Sequence, residues 1–290
     1  MVDLIAGNFM AKSYSAEEIS FAKPSPMVDE NLYLFMNQCM TQNTADMPDL
    51  IENFKEKIEK YVFDNDINQL TGYEAFPIHD VCIGCTQYID DLYQTYGYDN
   101  IMTLEKDYKY HSRLNSNIKY YDVDSLVPGK QLLIAMPFPY TGDKHVTMDQ
   151  LLDRCLELNI PVHIDSAWIL ASQNIQFNYN HPAIQSFAVS LSKGLALGSH
   201  RIGMRWSRTE TNGPITIMNN FHMNCKSLVW LGLQFMNQFE PGYLWKKYEN
   251  HYQKIIKDFN LQPTKAIHLA TKDNQPVGIR TLLMYLEHHK

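Results

Sequence analysis

The residues of this chain that best fit a chemical role lie in the stretch 185–205, which contains a single lysine, Lys193. Ser190 precedes that lysine by three positions, and Arg201 follows it by eight. A lysine amine that is partly withdrawn from water has a lowered pKa and is nucleophilic near neutral pH. An arginine held nearby can bind phosphate through two parallel hydrogen bonds. The stretch predicts a nucleophilic amine beside an anion site; a solvated surface lysine is the alternative when these residues are taken alone.

A second group of residues lies at the turn Gly84, Cys85 and Thr86. The sequence favours a short strand over 79–84 and a helix over 85–97, so the turn lies where strand passes into helix. Free backbone N–H groups at the start of a helix attract anions, and a glycine and a hydroxyl complete a natural phosphate seat. The turn by itself is a weak signal, because many strand-to-helix turns contain glycine and threonine.

The third chemical group is the carboxylate of Asp165, at the end of a strand predicted over 161–165. A buried strand over 131–136 and an amphipathic helix over 147–158 precede it. This order of strand, helix and strand predicts a βαβ unit, and therefore a parallel sheet covered by helices. Because ligands of such sheets bind at the carboxyl ends of the strands, we expect Asp165, Lys193 and the phosphate turn to meet at one edge.

The remaining segments are expected to support that sheet. The region after Trp206 is expected to contain a loop with a short strand, then two helices, and finally a small terminal α+β unit. The predicted elements are a helix over 29–39, a helix over 51–63, the loop and strand over 209–218, a helix over 220–238 and a helix over 244–259.

Composition excludes several classes of function. The 290 residues are 45% hydrophobic and 20% charged, with a net charge of −7, which is typical of a globular protein. No basic patch indicates nucleic-acid binding. No apolar stretch reaches the about 20 residues of a membrane span, and the N-terminus does not resemble a signal peptide. We therefore expect a cytoplasmic enzyme or binding protein without a membrane partner.

Five cysteines, an odd number, favour reduced thiols and an intracellular setting. Cys82 and Cys85 form a CxxC pair. A structural zinc site would need further ligands at suitable spacing, and none follows, so no metal site is predicted. A redox dithiol and two small packing residues at a turn both remain open for this pair.

The order of these motifs resembles that of the fold-type I pyridoxal-phosphate enzymes, in the aspartate-aminotransferase-like (class I/II aminotransferase) superfamily. The resemblance is densest in HIDSAW (163–168) and SLSKGLALGSHRIG (190–203). Weaker matches are MPDLIENFKEKIEKYV (47–62), IGCTQYIDDLY (83–93) and LLIAMPFPYTG (132–142). It implies a three-layer α/β fold, with a mainly parallel sheet covered by helices. The implied divisions are an N-terminal arm and helix (1–46), a cofactor-binding large domain (47–238) and a small, shortened C-terminal α+β domain (239–290).

The resemblance also implies pyridoxal 5′-phosphate as the cofactor and assigns roles to the motif residues. Lys193 would carry the cofactor as a Schiff base and act as general base, while Asp165 would face the protonated ring nitrogen. The phosphate would be held by Ser190, Ser192, Arg201, Gly84, Cys85 and Thr86. Ala167 and Trp168 would lie against the cofactor, and Tyr108 could stack on it, although it could equally be a packing tyrosine.

The sequence departs from the family pattern at two positions. Pro139 stands where the family has an asparagine, and Trp168 where it has a tyrosine, both of which usually contact the cofactor's 3′-oxygen. An indole N–H can still donate a hydrogen bond, whereas a proline side chain cannot. Arg280 is the candidate clamp for a substrate carboxylate, with a solvated arginine as the alternative. The chain is also short for the family.

The function implied is that of an aminotransferase moving an amino group from an amino acid or amine to a 2-oxo acid. A decarboxylase, lyase or oxidase of the same fold is the alternative that the altered 3′-oxygen contacts favour. A degenerate relative that only binds a ligand or partner is the third possibility. By resemblance alone, we expect a homodimer.

Overall fold

The computed structural model describes residues 27–40 and 47–288. Most of the predicted N-terminal segment 1–46 therefore lies outside the described residues. The helices are α1 (Glu30–Cys39), α2 (Leu50–Phe63), α3 (Gly84–Tyr96), α4 (Tyr110–Leu114), α5 (Met148–Glu157), α6 (Leu191–Gly194), α7 (Pro214–Asn220), α8 (Lys226–Gln238), α9 (Tyr243–Asp258) and α10 (Arg280–His288). The strands are β1 (Gln69–Thr71), β2 (Ile78–Cys82), β3 (Ile101–Leu104), β4 (Tyr120–Tyr121), β5 (Gln131–Ala135), β6 (Val162–Ser166), β7 (Gln176–Asn178), β8 (Ile184–Ser190), β9 (Gly203–Ser207), β10 (Gln262–Pro263), β11 (Leu269–Lys272) and β12 (Gln275–Gly278).

A seven-stranded sheet in the order β2-β9-β8-β6-β5-β3-β4 forms the centre of the described chain. Strands β8, β6, β5, β3 and β4 are parallel to one another, whereas β9 is antiparallel to both β2 and β8. Strand β2 therefore runs in the same direction as β8, so the carboxyl ends of β2, β5, β6 and β8 meet at one edge. The predicted mainly parallel α/β sheet is confirmed.

Helices cover both faces of this sheet because its strands are apolar on both sides. Along β5, Leu133 packs in a cluster with Tyr88 of α3, whereas Leu132 and Ile134 belong to a larger cluster with Leu151 of α5. Alternate residues of a strand point to opposite faces, so α3 and α5 lie on opposite sides of the sheet. This arrangement is the predicted three-layer architecture.

The region after β9 differs from the prediction. The helix expected over 220–238 begins only at Lys226, as α8, and the loop and strand expected over 209–218 instead contain most of α7, which ends at Asn220. Proline at the first position favours a helix start, and Pro214 occupies that position after Gly213. His222, with a φ of 55°, interrupts the helical path before α8 begins.

The C-terminal unit contains the antiparallel sheet β10-β11-β12 with α10, as predicted. Two main-chain hydrogen bonds attach its first loop to the segment after β6, from Gln173 N to Lys265 O (2.9 Å) and from Ile267 N to Ala171 O (3.0 Å). The loop at 264–268 is thereby held beside the carboxyl edge of the central sheet. In the described residues, no helix has both the length and the apolar composition needed to cross a membrane.

Beside the sheet edge, β2 and β9 are joined by a buried ion-pair network around Arg205. Its guanidinium donates to Asp80, to Asp91 (2.9 Å) and to Thr216 (2.7 Å). Arg205 is 1% exposed, and both carboxylates are buried. Removing one partner of a buried ion pair leaves an uncompensated buried charge, so the network makes the described fold sensitive to this one side chain.

We expect Arg205→Leu to lower the free energy of unfolding by about 3–5 kcal/mol, because Asp80 and Asp91 lose their common partner. Urea unfolding followed by circular dichroism measures this change. Arg154→Leu is the control, since Arg154 is exposed on α5, pairs only with the exposed Glu157 among described contacts and should change the value by less than about 1 kcal/mol. Equal effects of the two substitutions would contradict the prediction.

Candidate active site

Lys193 lies in the short helix α6, directly after β8. Ser190 caps this helix by accepting a hydrogen bond from Ser192 N (3.2 Å), which fixes the turn that carries the lysine. The amine is largely enclosed, with Nζ 5.6 Å from the ring centroid of Tyr108 and 6.0 Å from that of Trp168. Burial lowers the pKa of Lys193 and Arg201 lowers it further, although Asp165 acts in the opposite direction. The amine is therefore shifted toward its nucleophilic form.

Asp165 lies on β6 and is buried beneath the same edge. Strand pairing places it opposite Ala135 of β5 and Ala188 of β8, and its Oδ1 accepts a hydrogen bond from Ala167 N (2.9 Å). Burial raises the pKa of Asp165, and the charge of Lys193 opposes that rise. A carboxylate that is desolvated beside an amine is suited to hold a positive charge or a proton in the cavity.

An anion seat forms where α3 begins. Gly84 has a φ of +67°, and a Cβ at that position would lie 2.8 Å from Ser190 Oγ, so the backbone approaches the end of β8 closely. Arg201 donates from Nη2 to the hydroxyl of Thr86. In the described part of the chain, no hydrogen-bond partner reaches the buried Arg201 Nε. The first N–H groups of α3 also have no partners within the helix, so these donors fit an oxyanion.

One small cavity, with about 20 Å³ of free space, brings most of the predicted site residues together. Its lining consists of Cys85, Thr86, Tyr108, Ala135, Pro137, Pro139, Asp165, Ala167, Trp168, Lys193 and Arg201. Both departures from the family pattern, Pro139 and Trp168, are therefore at the wall beside the lysine. A wider groove of about 240 Å³ lies between α1, α9 and α10, but its lysine, Lys247, is ion-paired with Asp29.

Four predicted residues do not line this cavity. Gly84, Ser190 and Ser192 lie directly beside its anion seat, and the hydroxyl of Ser190 is bonded to that of Ser192 at 2.8 Å. Arg280 lies at the start of α10, outside the lining. The charge of Arg280 nevertheless contributes to lowering the pKa of His268, whose ring packs against Trp168.

Asp107 is a residue of the site's surroundings that the sequence did not reveal. It is buried, accepts hydrogen bonds from Tyr108 N (2.6 Å) and Ala135 N (3.1 Å), and so fixes both wall residues. Burial raises the pKa of Asp107 to about 7. Its position before Tyr108 was visible in the sequence, but nothing local indicates that this carboxylate is desolvated.

Neither thiol of the CxxC pair has the properties of a reactive cysteine. Cys82 and Cys85 are buried and free, and burial raises the pKa of each, to about 12 for Cys82. Thiolates are the reactive form, so both side chains fit packing better than redox exchange. Among residues 27–40 and 47–288, no three or more histidine, cysteine, aspartate or glutamate side chains are grouped so that they could hold a metal ion.

Solved structures share this architecture at low sequence identity. A PLP-bound protein from Clostridium difficile 630, provisionally named an aminotransferase, matches with a TM-score of 0.61 and 11% identity over 96% of this chain and 95% of that chain. The chain has the aspartate-aminotransferase-like fold. Tyrosine aminotransferase from Leishmania infantum matches with a TM-score of 0.61 and 12% identity over 90% of this chain and 86% of its own.

The aspartate-aminotransferase-like fold does not by itself select a reaction. L-threonine-O-3-phosphate decarboxylase from Porphyromonas gingivalis also matches, with a TM-score of 0.54 and 10% identity over 82% of this chain and 80% of its own. No protein-family model matches the chain, and no curated protein matches it in sequence. The reaction must therefore be argued from the side chains of the cavity.

Proposed function

We propose that this protein is a pyridoxal-phosphate-dependent aminotransferase that moves an amino group from an amino acid or amine to a 2-oxo acid. The observation that carries the proposal is that one cavity is lined by a desolvated amine, a buried carboxylate and an arginine-threonine anion seat, on Lys193, Asp165, Arg201 and Thr86. Amine, acid and anion seat are the three groups that an aldehyde cofactor with a ring nitrogen and a phosphate requires.

The residues present fit pyridoxal phosphate. The unpartnered Nε of Arg201, the start of α3 and the close approach at Gly84 would hold its phosphate, with the Thr86 and Ser190 hydroxyls beside it. Lys193 would hold its aldehyde carbon, and Asp165 its ring nitrogen. When bound, the cofactor supplies an electron sink for negative charge that develops at the substrate Cα.

Lys193 is the proton carrier of the proposed reaction. Burial shifts its amine toward the unprotonated form, in which Nζ can accept a proton from the substrate Cα and later return it. The rings of Tyr108 and Trp168 flank this amine and exclude water from it. Asp165 stays within the same enclosure, where its negative charge favours protonation of a facing nitrogen.

The proposal extends to the substrate clamp, the domain division and the assembly. We propose two domains, a large domain over 47–238 and a C-terminal domain over 239–290, and that Arg280 of the C-terminal domain binds a substrate carboxylate.

A homodimer is proposed, supported by exposed apolar side chains on and after α7, which packs against β2 and α3. Among them, Phe221 is 73% and Met223 63% exposed. Light scattering coupled to size exclusion measures the assembly.

A decarboxylase, lyase or oxidase is the second candidate. Pro139 has no side-chain donor, so the cavity wall provides fewer hydrogen bonds at the position where the family has asparagine. A panel of amino acids offered with 2-oxo acids separates the candidates. Transamination converts the acceptor into its amino acid without releasing carbon dioxide, ammonia or peroxide. Release of any of these without a new amino acid would overturn the aminotransferase proposal.

We expect Gly84→Ala to raise the Kd of the cofactor-free protein for pyridoxal phosphate by about tenfold or more, equivalent to about 1.4 kcal/mol. The new methyl group would lie 2.8 Å from Ser190 Oγ and displace the anion seat. Gly129→Ala is a matched control, since Gly129 also has a positive φ (+83°) but has no atom within 4 Å of the new Cβ. Fluorescence titration gives both values. Unchanged affinity in Gly84→Ala would contradict the phosphate seat.

A further inference from the structure

His268 is a buried histidine whose two ring nitrogens lack partners in the described part of the chain. It is 0% exposed, and neither Nδ1 nor Nε2 has a hydrogen bond there. Leaving such a group unsatisfied costs free energy, so buried polar atoms of this kind call for a partner that completes them.

The position of His268 connects it to the cavity. Its ring packs edge-on against Trp168, with 4.3 Å between ring centroids, and Trp168 is a cavity wall 6.0 Å from Lys193 Nζ. Its backbone carbonyl accepts a hydrogen bond from Ile279 N (3.1 Å), so the residue before Arg280 is tied to His268. The imidazole therefore lies between the lysine side of the cavity and the start of α10.

The electrostatics around His268 suit an anion. Burial, together with the charges of Lys193 and Arg280, lowers the pKa of His268 to about 3. The ring is thus neutral at physiological pH and can donate one N–H. Lys193 and Arg280 lie close enough to influence its pKa. A carboxylate placed there would gain from the charge of Arg280 and would satisfy one unpartnered nitrogen.

His268 does not line the cavity, so a ligand in the cavity can reach its ring only if a wall residue moves. The free space in the cavity is about 20 Å³, far below the roughly 300 Å³ of the smallest pockets that hold drug-sized ligands, so a cofactor and a substrate together need one wall to move. Trp168 is the wall residue in contact with His268. Its movement would enlarge the cavity and expose the imidazole at the same time.

We propose that His268 is a substrate-binding residue that donates a hydrogen bond to a carboxylate of the amino-acid or 2-oxo-acid substrate once Trp168 has turned. This rests on the proposed aminotransferase function and adds to it a preference for carboxylate substrates over simple amines. The backbone of the 264–268 loop supports the position, because Thr264 N donates to the buried Tyr252 hydroxyl (2.7 Å).

The test compares an amino acid with the amine that lacks its carboxylate, in wild type, His268→Phe and His268→Gln. His268→Phe keeps an aromatic ring against Trp168 and removes both nitrogens, so the melting temperature should not fall. We expect kcat/KM for the amino acid to fall about 10- to 100-fold, mainly through KM, with the amine unaffected. His268→Gln should recover part of the loss.

A second readout keeps the proposal testable if no transamination is found. Isothermal titration of succinate and of uncharged succinamide into wild type and His268→Phe measures carboxylate binding directly. We expect the Kd for succinate to rise about 10-fold or more in the variant and the response to succinamide to be unchanged. Equal losses for amino acid and amine, or the same succinate Kd in both proteins, would overturn the role of His268. Absent transamination with a retained succinate difference would overturn only the proposed function.

Discussion

Lys193→Ala is expected to remove the absorbance band of the lysine-bound cofactor and to reduce aminotransferase activity by about 10³-fold. The loss follows from removing the general base, which contributes roughly 10²- to 10⁴-fold in enzymes of known mechanism. The structure favours this role because Lys193 is enclosed by Tyr108 and Trp168, and burial shifts its amine toward the unprotonated form. The spectrum and the steady-state rate of the purified variant measure the two effects.

Two further variants separate proton transfer from loss of charge. Lys193→Arg keeps a positive charge, but a guanidinium is not deprotonated in proteins, so its rate should be as low as that of Lys193→Ala. Lys106→Ala is the control, because Lys106 is exposed near the same loop and packs over Tyr140 (4.5 Å to the centroid). Partial recovery of Lys193→Ala by added methylamine is expected. Full activity in Lys193→Ala would contradict the assignment.

Asp165→Asn is expected to lower kcat/KM by about 10²- to 10³-fold, which corresponds to about 3–4 kcal/mol of transition-state stabilisation. Asparagine has nearly the same shape but cannot supply the negative charge that would hold a protonated ring nitrogen. Asp165 is buried on β6, so water cannot replace that charge. Asp90→Asn is the control, since Asp90 is half-buried on α3 and Asn can still accept the hydrogen bond from Tyr110.

The same substitution has a second consequence in the cofactor-free protein. The charge of Asp165 raises the pKa of Lys193, so its removal should lower that pKa further. Only the unprotonated amine reacts with an acylating reagent. The modification rate of Lys193, followed by peptide mass spectrometry, should therefore reach half its maximum at a lower pH in Asp165→Asn than in wild type. An unchanged or higher midpoint would mean that the two groups are not coupled.

The central sheet could be predicted because its signals are local. Leu132, Ile134 and Leu133 form an apolar run, and alternating burial on both faces follows from strand geometry. Asp165 and Lys193 could be placed at one edge because each follows such a run. The antiparallel direction of β9 could not be predicted, because nothing in the sequence of the loop before it indicates that the chain reverses direction.

Other parts of the site depend on contacts far apart in sequence. Helix α7 was not predicted, because the sequence pattern of its region favoured loop and strand, although Pro214 is a favourable first helical residue. Asp107 has no distinguishing local pattern, and its burial depends on the packing of β3 and β5. His268 has no ligand spacing, and its relation to Trp168 becomes visible only when the C-terminal unit packs against the segment after β6.

The most direct test of the proposed function is to locate the lysine that binds the cofactor. Incubation with pyridoxal phosphate, reduction with borohydride, proteolysis and mass spectrometry identify the modified side chain. We predict one stoichiometric pyridoxyl adduct on Lys193, lost in Lys193→Ala and weakened at limiting cofactor in Gly84→Ala. Modification spread over exposed lysines such as Lys106 and Lys254, with Lys193 unmodified, would contradict the proposal that this cavity binds the cofactor.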